Sequence, residues 1–187
     1  MTSDLDDVPR TAPPRKPTLV NYLHSAVAIP LIYFYTAVMG TLSLLLSLRD
    51  PEGRKQHWCA SIWSRMIVRT VGASVRVCGA ENIRAGESYV FLFPEGTRTR
   101  DGSLQPFKKG GFRVALQTGL SVVPVTIVGT RQVLPRDSFV FRPGPVLMHL
   151  DAPIPTAGLD DRDLPALMQK VRDAMTKHFK EGMRAEG

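Results

Sequence analysis

From Leu19 to Leu48 the chain runs thirty residues without a charge, well beyond the roughly 20 apolar residues that a helix needs to cross a bilayer. Polar interruptions are few (Asn21, His24, Ser25, Thr36, Thr41, Ser43). Pro30 falls inside the run, where it kinks a helix or marks a turn between two shorter ones. Three arrangements fit: one tilted spanning helix, a re-entrant hairpin, or a buried pair of soluble helices. Length and lack of charge favour embedding in a membrane. Arg10, Arg15 and Lys16 precede the run and Arg49, Arg54 and Lys55 follow it, so the flanking charge gives no orientation. A secretory signal fits poorly, because the run is too long and no small-residue cleavage site follows. The segment Met1 to Pro17 holds four prolines and no hydrophobic period, the composition of a disordered tail.

The hydrophobic period then changes twice. From Lys55 to Val71, Trp58, Ile62, Trp63, Met66, Ile67 and Thr70 recur at helical spacing, with Arg54, Lys55, Arg65 and Arg69 as the charged positions. Such a helix suits either a membrane interface or a domain core, and His57 at its start reads as a polar interfacial residue. Beyond it the pattern is α/β. Ala73 to Cys78 reads as a strand, and the continuous apolar run Ser88 to Phe93 as a strand covered on both faces. A helix over Gly110 to Thr118 stops at Gly119, and Ser121 to Val128 is a β-branched strand. These form one right-handed β-helix-β unit, with the turn after Phe93 at the ligand-binding edge of the sheet. Pro145 to Leu150 is a further strand, in which His149 is a satisfied core histidine. A last helix, Asp163 to Lys180, places Leu164, Leu167, Met168, Val171, Met175 and Phe179 on one buried face. Its cations (Lys170, Arg172, Lys177, Lys180, Arg184) and His178 read as surface, with anionic lipid a further partner for the cations. The expected organisation is a tail over 1–17, a membrane-embedded helical segment over 18–48 and an α/β domain over 49–187.

Charge narrows the partners. A net charge of +7 and a pI near 9.8 favour nucleic acid, anionic membrane or phosphorylated ligands. Nucleic acid is excluded as the weakest of these, since the chain has no zinc-knuckle spacing, helix-turn-helix signature or aromatic stacking motif. Cys59 and Cys78 stand apart with no Cys-x-x-Cys spacing, as neutral thiols of a reducing compartment do. No cofactor or metal-binding pattern is present.

The candidate chemistry lies in Phe93-Pro94-Glu95-Gly96-Thr97-Arg98, after the strand, and in Phe107-Lys108-Lys109-Gly110-Gly111-Phe112, which opens the next helix. Arginine grips phosphate with a planar fork of donors, and a helix start adds unpaired N–H groups. Glu95 orders its turn by accepting N–H bonds and accepts a ligand hydroxyl. Lys108 or Lys109 reaches towards the ligand from the helix start. Arg131 and Arg136, after the Val128-Gly129-Thr130 strand end, are second phosphate contacts.

These two blocks, with Val123-Pro124-Val125, resemble the lysophospholipid acyltransferase family, whose members include 1-acylglycerol-3-phosphate acyltransferases. The resemblance extends loosely from Trp58 to Pro155. It implies a mixed, largely parallel sheet flanked by helices, a membrane-associated N-terminal segment, and a membrane location with the α/β domain on the cytoplasmic side. It implies that Glu95, Gly96, Thr97 and Arg98 contact a lysophosphatidate-like acceptor, with Arg98 the main phosphate ligand. Membrane phospholipids and an acyl-CoA or acyl-carrier-protein donor are the other implied partners.

The family's catalytic element is a His-x-x-x-x-Asp box, whose histidine deprotonates the acceptor hydroxyl. Here the four histidines, His24, His57, His149 and His178, are followed five positions on by Ile29, Ile62, Ile154 and Met183. Gly79-Ala80-Glu81-Asn82-Ile83 and Tyr89-Val90 resemble the family's lead-in to its first strand, whereas Phe91-Leu92-Phe93 resembles the end of a later one. This reads as an internal deletion that removes the box, together with a second acceptor-side motif. Two functions follow: an acyltransferase making phosphatidate, or a non-catalytic membrane protein that keeps a site for anionic lipid. A shortened product that folds poorly is the third outcome, through exposed apolar sheet edges.

Overall fold

The computed structural model describes residues 13–48, 50, 54–92, 94–95 and 103–186. They fall into two compact units, one built from Arg15–Val75 and Gln132–Pro145, the other on Arg76–Arg131 and Val146–Gly187.

The first unit is dominated by two helices. Helix α1, Leu19–Ser47, runs unbroken through Pro30, so the apolar segment is one helix rather than two. It opens on a capping box: Thr18 Oγ1 accepts the Asn21 N–H at 3.4 Å, and Asn21 Oδ1 accepts the Thr18 N–H at 2.9 Å. Helix α2, Arg54–Thr70, follows after a short connection, and the Asp50 carboxylate accepts the Lys55 N–H in its first turn at 2.6 Å. Trp63 Nε1 donates to Thr36 Oγ1 at 2.9 Å, and His24 Nε2 donates to the Thr70 carbonyl at 2.9 Å, so α2 runs back along α1.

The burial pattern of α1 is inverted relative to a soluble helix. Its buried positions are Ser25, Ala28 and Tyr35, whereas Leu19, Leu23, Val27, Phe34 and Leu44 stand outward, Leu19 at 74% exposure. A helix that buries Ser25 and Tyr35 and shows its leucines is suited to lipid. Ser25 Oγ donates to the Asn21 carbonyl and accepts the Phe141 N–H at 2.8 Å, which leaves no buried hydroxyl unmet at that point.

The second unit carries the mixed sheet. Strands β1 (Ala73–Cys78) and β5 (Gly144–Leu150) each begin at its boundary; β2 is Val90–Phe91, β3 Val122–Val123 and β4 Val125–Val128. One sheet has the order β1-β5-β4, and β2 pairs with β3 in a second. The β2–β3 register is parallel (Val90 opposite Val122), as the β-helix-β reading requires, and helix α3 (Lys109–Thr118) makes the crossover. The β4–β5 register is antiparallel, Val125 opposite Leu150 and Val128 opposite Leu147. Between those strands the chain forms only the short helix α4 (Thr130–Val133), with no crossover helix, so β5 returns antiparallel and narrows the parallel share of the sheet. Pro124 divides the expected strand Ser121 to Val128, since it has no N–H for a ladder; its carbonyl accepts the Asp151 N–H at 3.0 Å.

Two further expectations change. The strand Ser88 to Phe93 contracts to Val90–Phe91, and Phe91 is 51% exposed rather than covered on both faces, with Phe93 outside the described residues. His178, expected at the surface, has a side chain only 17% exposed; its Nε2 lies 2.8 Å from Asp151 Oδ1 and its ring stacks on His149 at 4.4 Å. The terminal helix α5, Leu164–Glu186, extends past the expected Lys180; Leu164, Leu167, Val171 and Met175 join Phe112, Ala115, Val122 and Leu104 in the core, Met168 packs against it half-buried, and Phe179 is half-buried outside that cluster. Gly111 lets α3 press against the end of β2, where a Cβ would come 2.6 Å from Leu92 Cδ2.

Candidate functional site

The site grows from the point where β2 gives way to a turn. Pro94 is buried and Glu95 half-buried, directly after the strand. The segment 103–108 folds back onto them: the Lys108 N–H donates to the Pro94 carbonyl at 2.6 Å, and the Gln105 N–H donates to Glu95 Oε2 at 3.0 Å. Burial pushes the Glu95 carboxyl above its ordinary pKa, while the Gln105 N–H bond and the charge of Arg172 draw it part of the way back. Gly96, Thr97 and Arg98 lie outside the described residues.

Lys108 occupies the N-cap of α3 with extended backbone (φ −85°, ψ 135°), and its side chain makes no capping bond. Lys109 is the first helical residue, and both lysines are exposed. The turn, the helix start and the carboxylate are therefore held together by backbone bonds, with the lysine ammonium groups left outside. Gly110 is exposed beside them, so the first amides of α3 are lightly screened. Arg131 follows the C-terminal end of β4, in the unit that holds Glu95, and is half-buried. Arg136 is exposed and belongs to the other unit.

Arg172, assigned from the sequence to a solvated face, is half-buried at this site. Its Nη1 donates to the Gln105 carbonyl at 3.3 Å, and its guanidinium carbon lies 5.3 Å from the centroid of the Phe107 ring. Phe107 stacks in turn on buried Phe112, 6.1 Å away. A residue of the last helix thus braces the segment that holds Glu95. Nothing in the helical period of α5 marks this position, which follows core residue Val171 by one; the long side chain reaches the segment by lying along apolar surface.

The histidines are placed elsewhere. His24 and His57 lie in the α1–α2 unit. His149 and Asp151, with His178 against them, stand where β5 pairs with the N-terminal end of β4, the strand end away from Arg131. Among the described residues no histidine hydrogen-bonds to the Glu95 turn, and no group of three or more His, Cys, Asp or Glu is placed to hold a metal.

A family model described as Acyltransferase matches residues 59–128. The human 1-acyl-sn-glycerol-3-phosphate acyltransferase alpha is 34% identical over 102 residues, which is 54% of this chain and 36% of that protein. The chloroplastic 1-acyl-sn-glycerol-3-phosphate acyltransferase of Brassica napus is 53% identical over 58 residues, 31% of this chain and 17% of that protein. The matches thus span well under half the length of these curated relatives. Among solved structures, the 1-acyl-sn-glycerophosphate acyltransferase PlsC of Thermotoga maritima superposes with a TM-score of 0.62 at 18% identity, covering 86% of this chain and 97% of that one.

Proposed function

We propose, from the match of residues 59–128 to an acyltransferase family model and from a fold shared with a lysophosphatidate acyltransferase, that this is a membrane-associated protein of the 1-acylglycerol-3-phosphate acyltransferase type. It passes a fatty acyl group from a thioester, on coenzyme A or an acyl-carrier protein, to the free hydroxyl of lysophosphatidate, giving phosphatidate. The observation that carries this reading is the Glu95 turn, pinned by the Gln105 N–H and held to the start of α3 by the Lys108 N–H. In this reading Arg98 is the phosphate ligand, and Gly96 and Thr97 are further acceptor contacts. Lys108, Lys109 and Arg131 add positive charge, and Glu95 accepts a hydrogen bond from a glycerol hydroxyl.

Alcoholysis of a thioester needs a base for the incoming hydroxyl. The sequence has no histidine with aspartate five positions on, and losing such a base removes about 10²–10⁴ in rate. That observation favours a second reading: a lipid-binding protein that keeps the acceptor turn and has lost the chemistry through an internal deletion. Orientation at the site leaves the first reading only slow transfer.

Helices α1 and α2 give the membrane attachment, residues 1–17 are a tail before them, and the rest of the α/β domain expected over 49–187 lies on the cytoplasmic side. Because α2 runs back along α1 through the Thr36–Trp63 and His24–Thr70 bonds, a spanning α1 would draw exposed Arg65 and Arg69 into hydrocarbon. Each arginine at the centre of a membrane helix costs about 2.5–3.5 kcal/mol on insertion scales. The pair therefore lies within one leaflet, its leucines in the acyl region and its arginines at the headgroups.

The test is acyl transfer by detergent-purified protein to lysophosphatidate from a labelled acyl thioester, with Arg98→Ala and His57→Ala alongside. Label in phosphatidate that disappears in Arg98→Ala establishes the enzyme. No label, with lysophosphatidate binding that is lost in Arg98→Ala, establishes the binding protein. Binding that ignores Arg98→Ala overturns both.

A further inference from the structure

Of the large apolar residues described, Phe139 is the most exposed, at 86%, and it belongs to the first unit, with α1 and α2. The turn that carries it is closed by hydrogen bonds. The Ser138 N–H donates to the Pro135 carbonyl at 3.2 Å, the Val140 N–H to Ser138 Oγ at 3.1 Å, and the Arg142 N–H to the Val133 carbonyl at 2.9 Å. Phe141, two residues on, is buried and donates its N–H to Ser25 Oγ at 2.8 Å. That bond fastens the turn to the inward face of α1.

A single exposed aromatic is ordinary on a soluble surface, and scattered cations are solvated. Here hydrogen bonds gather them around one end of the unit. Gln132 Oε1 accepts the Arg15 N–H at 3.2 Å, which brings the residues before α1 to the base of the turn. The Gly72 carbonyl accepts the Gly144 N–H at 3.2 Å. His24, beside Ser25, is bonded to the Thr70 carbonyl, which sets Arg69 at the same level. Arg15, Lys16, Arg69 and Arg136 are all exposed, and Asp137 is the one acid from Gln132 to Pro145. An outward aromatic among cations, continuous with a helix whose leucines face outward, fits the headgroup region of an anionic bilayer.

We propose that the turn 134–141 is a third membrane contact, formed by chain that follows β4 and separate from the two N-terminal helices. Phe139 enters the boundary between headgroups and acyl chains, and Arg15, Lys16, Arg69 and Arg136 meet the phosphates of anionic lipids. The partner is the bilayer surface, and no step of acyl transfer passes through this contact. The inference rests on the membrane reading of α1 and α2 and adds what those helices alone do not supply. A helix held only by its outward row of leucines lets its unit roll about the helix axis. Ser25 lies on the opposite, inward face, so a contact made through Phe141 stands off that axis and fixes how the unit lies on the membrane.

The experiment puts a single fluorescent reporter at the tip of the turn, in the full chain with Trp58→Phe, Trp63→Phe and Phe139→Trp. Vesicles of phosphatidylcholine and phosphatidylglycerol, brominated near the glycerol or near the chain ends, report its depth, and sedimentation reports binding. The expected result is a bound chain whose reporter is quenched more by bromines near the glycerol than by those at the chain ends. Arg15→Gln with Lys16→Gln should raise the lipid concentration needed for half-quenching about tenfold or more. Arg84→Gln with Arg162→Gln removes the same charge from exposed positions of the second unit and should leave it unchanged. A bound chain with an unquenched reporter overturns the contact and leaves the membrane reading of α1 and α2 standing; a chain that stays out of the vesicle pellet overturns both. Equal quenching in pure phosphatidylcholine, or equal loss in the two charge pairs, also overturns the proposal. A reporter shielded from iodide before lipid is added belongs to an interface with a second copy, which overturns it too. Circular dichroism checks folding. If the reporter chain unfolds, hydrogen exchange of the unmodified chain decides: vesicles should slow the amides of residues 136–139, and unchanged exchange there overturns the contact.

Discussion

Glu95 and Arg172 show how differently two residues of one site are encoded. Glu95 is legible because its neighbours Pro94 and Gly96 and the arginine at 98 form a local pattern. Its pKa is raised by burial, so the stability it contributes is complete below the ordinary glutamate range and is lost as pH rises through the folded value. Glu95→Gln keeps a carbonyl acceptor for the Gln105 N–H but cannot ionise. The variant's urea midpoint minus that of the wild type should therefore increase from acid to neutral pH; a flat or falling difference refutes the assignment. Arg172 was not legible, because its partners Gln105 and Phe107 are more than sixty residues away in sequence. Arg172→Ala removes a charged hydrogen bond and a cation–ring contact, for an expected loss of about 1–3 kcal/mol. Hydrogen exchange at the Gln105 amide should accelerate in that variant, and Arg172→Lys should restore little, since a lysine has no planar fork. Unchanged Gln105 exchange in Arg172→Ala would remove the bracing role.

Helices α1 and α3 make opposite use of small residues. In α3, Gly111 sets the distance to β2, and Gly111→Ala forces its new methyl against Leu92. The expected cost is about 1–3 kcal/mol in the denaturation midpoint, recovered in part by adding Leu92→Ala; a neutral Gly111→Ala would show that Leu92 moves aside freely. In α1 the small and polar residues Ser25 and Ala28 face inward and the leucines outward. The chain has two tryptophans, of which Trp63 is tied to Thr36 and Trp58 is 57% exposed. Trp63→Phe therefore leaves one reporter on the outer surface of α2. Its fluorescence should be quenched by brominated lipid in vesicles, and an unquenched signal would take α2 out of the bilayer. The existence of both helices follows from charge-free length and helical period. Their antiparallel pairing does not, because the same run is compatible with a span, a hairpin or a soluble pair.

At the scale of the molecule, charge and apolar surface make separate claims on a membrane. The net charge of +7 attracts anionic lipid, and at 1 M salt the Debye length falls to about 3 Å and that attraction is screened. Sedimentation with anionic vesicles should weaken in 1 M salt yet persist through α1; complete release would mean that the outward leucines do not enter lipid. What the sequence determined alone is whatever depends on neighbours in the chain: the apolar run of α1, the β2–α3–β3 crossover, the α5 core stripe, the Glu95 turn, and the missing aspartate after every histidine. The tertiary structure decided what depends on residues distant in the chain. It split the strand at Pro124 by giving its two halves different partners, turned β5 antiparallel, and drew His178 from the surface onto His149 and Asp151. It also set Arg172 against Gln105 and fastened the Phe139 turn to α1. The physical reason is that spacing along the chain fixes a side chain's face on its own element, whereas the packing of elements fixes what that face meets.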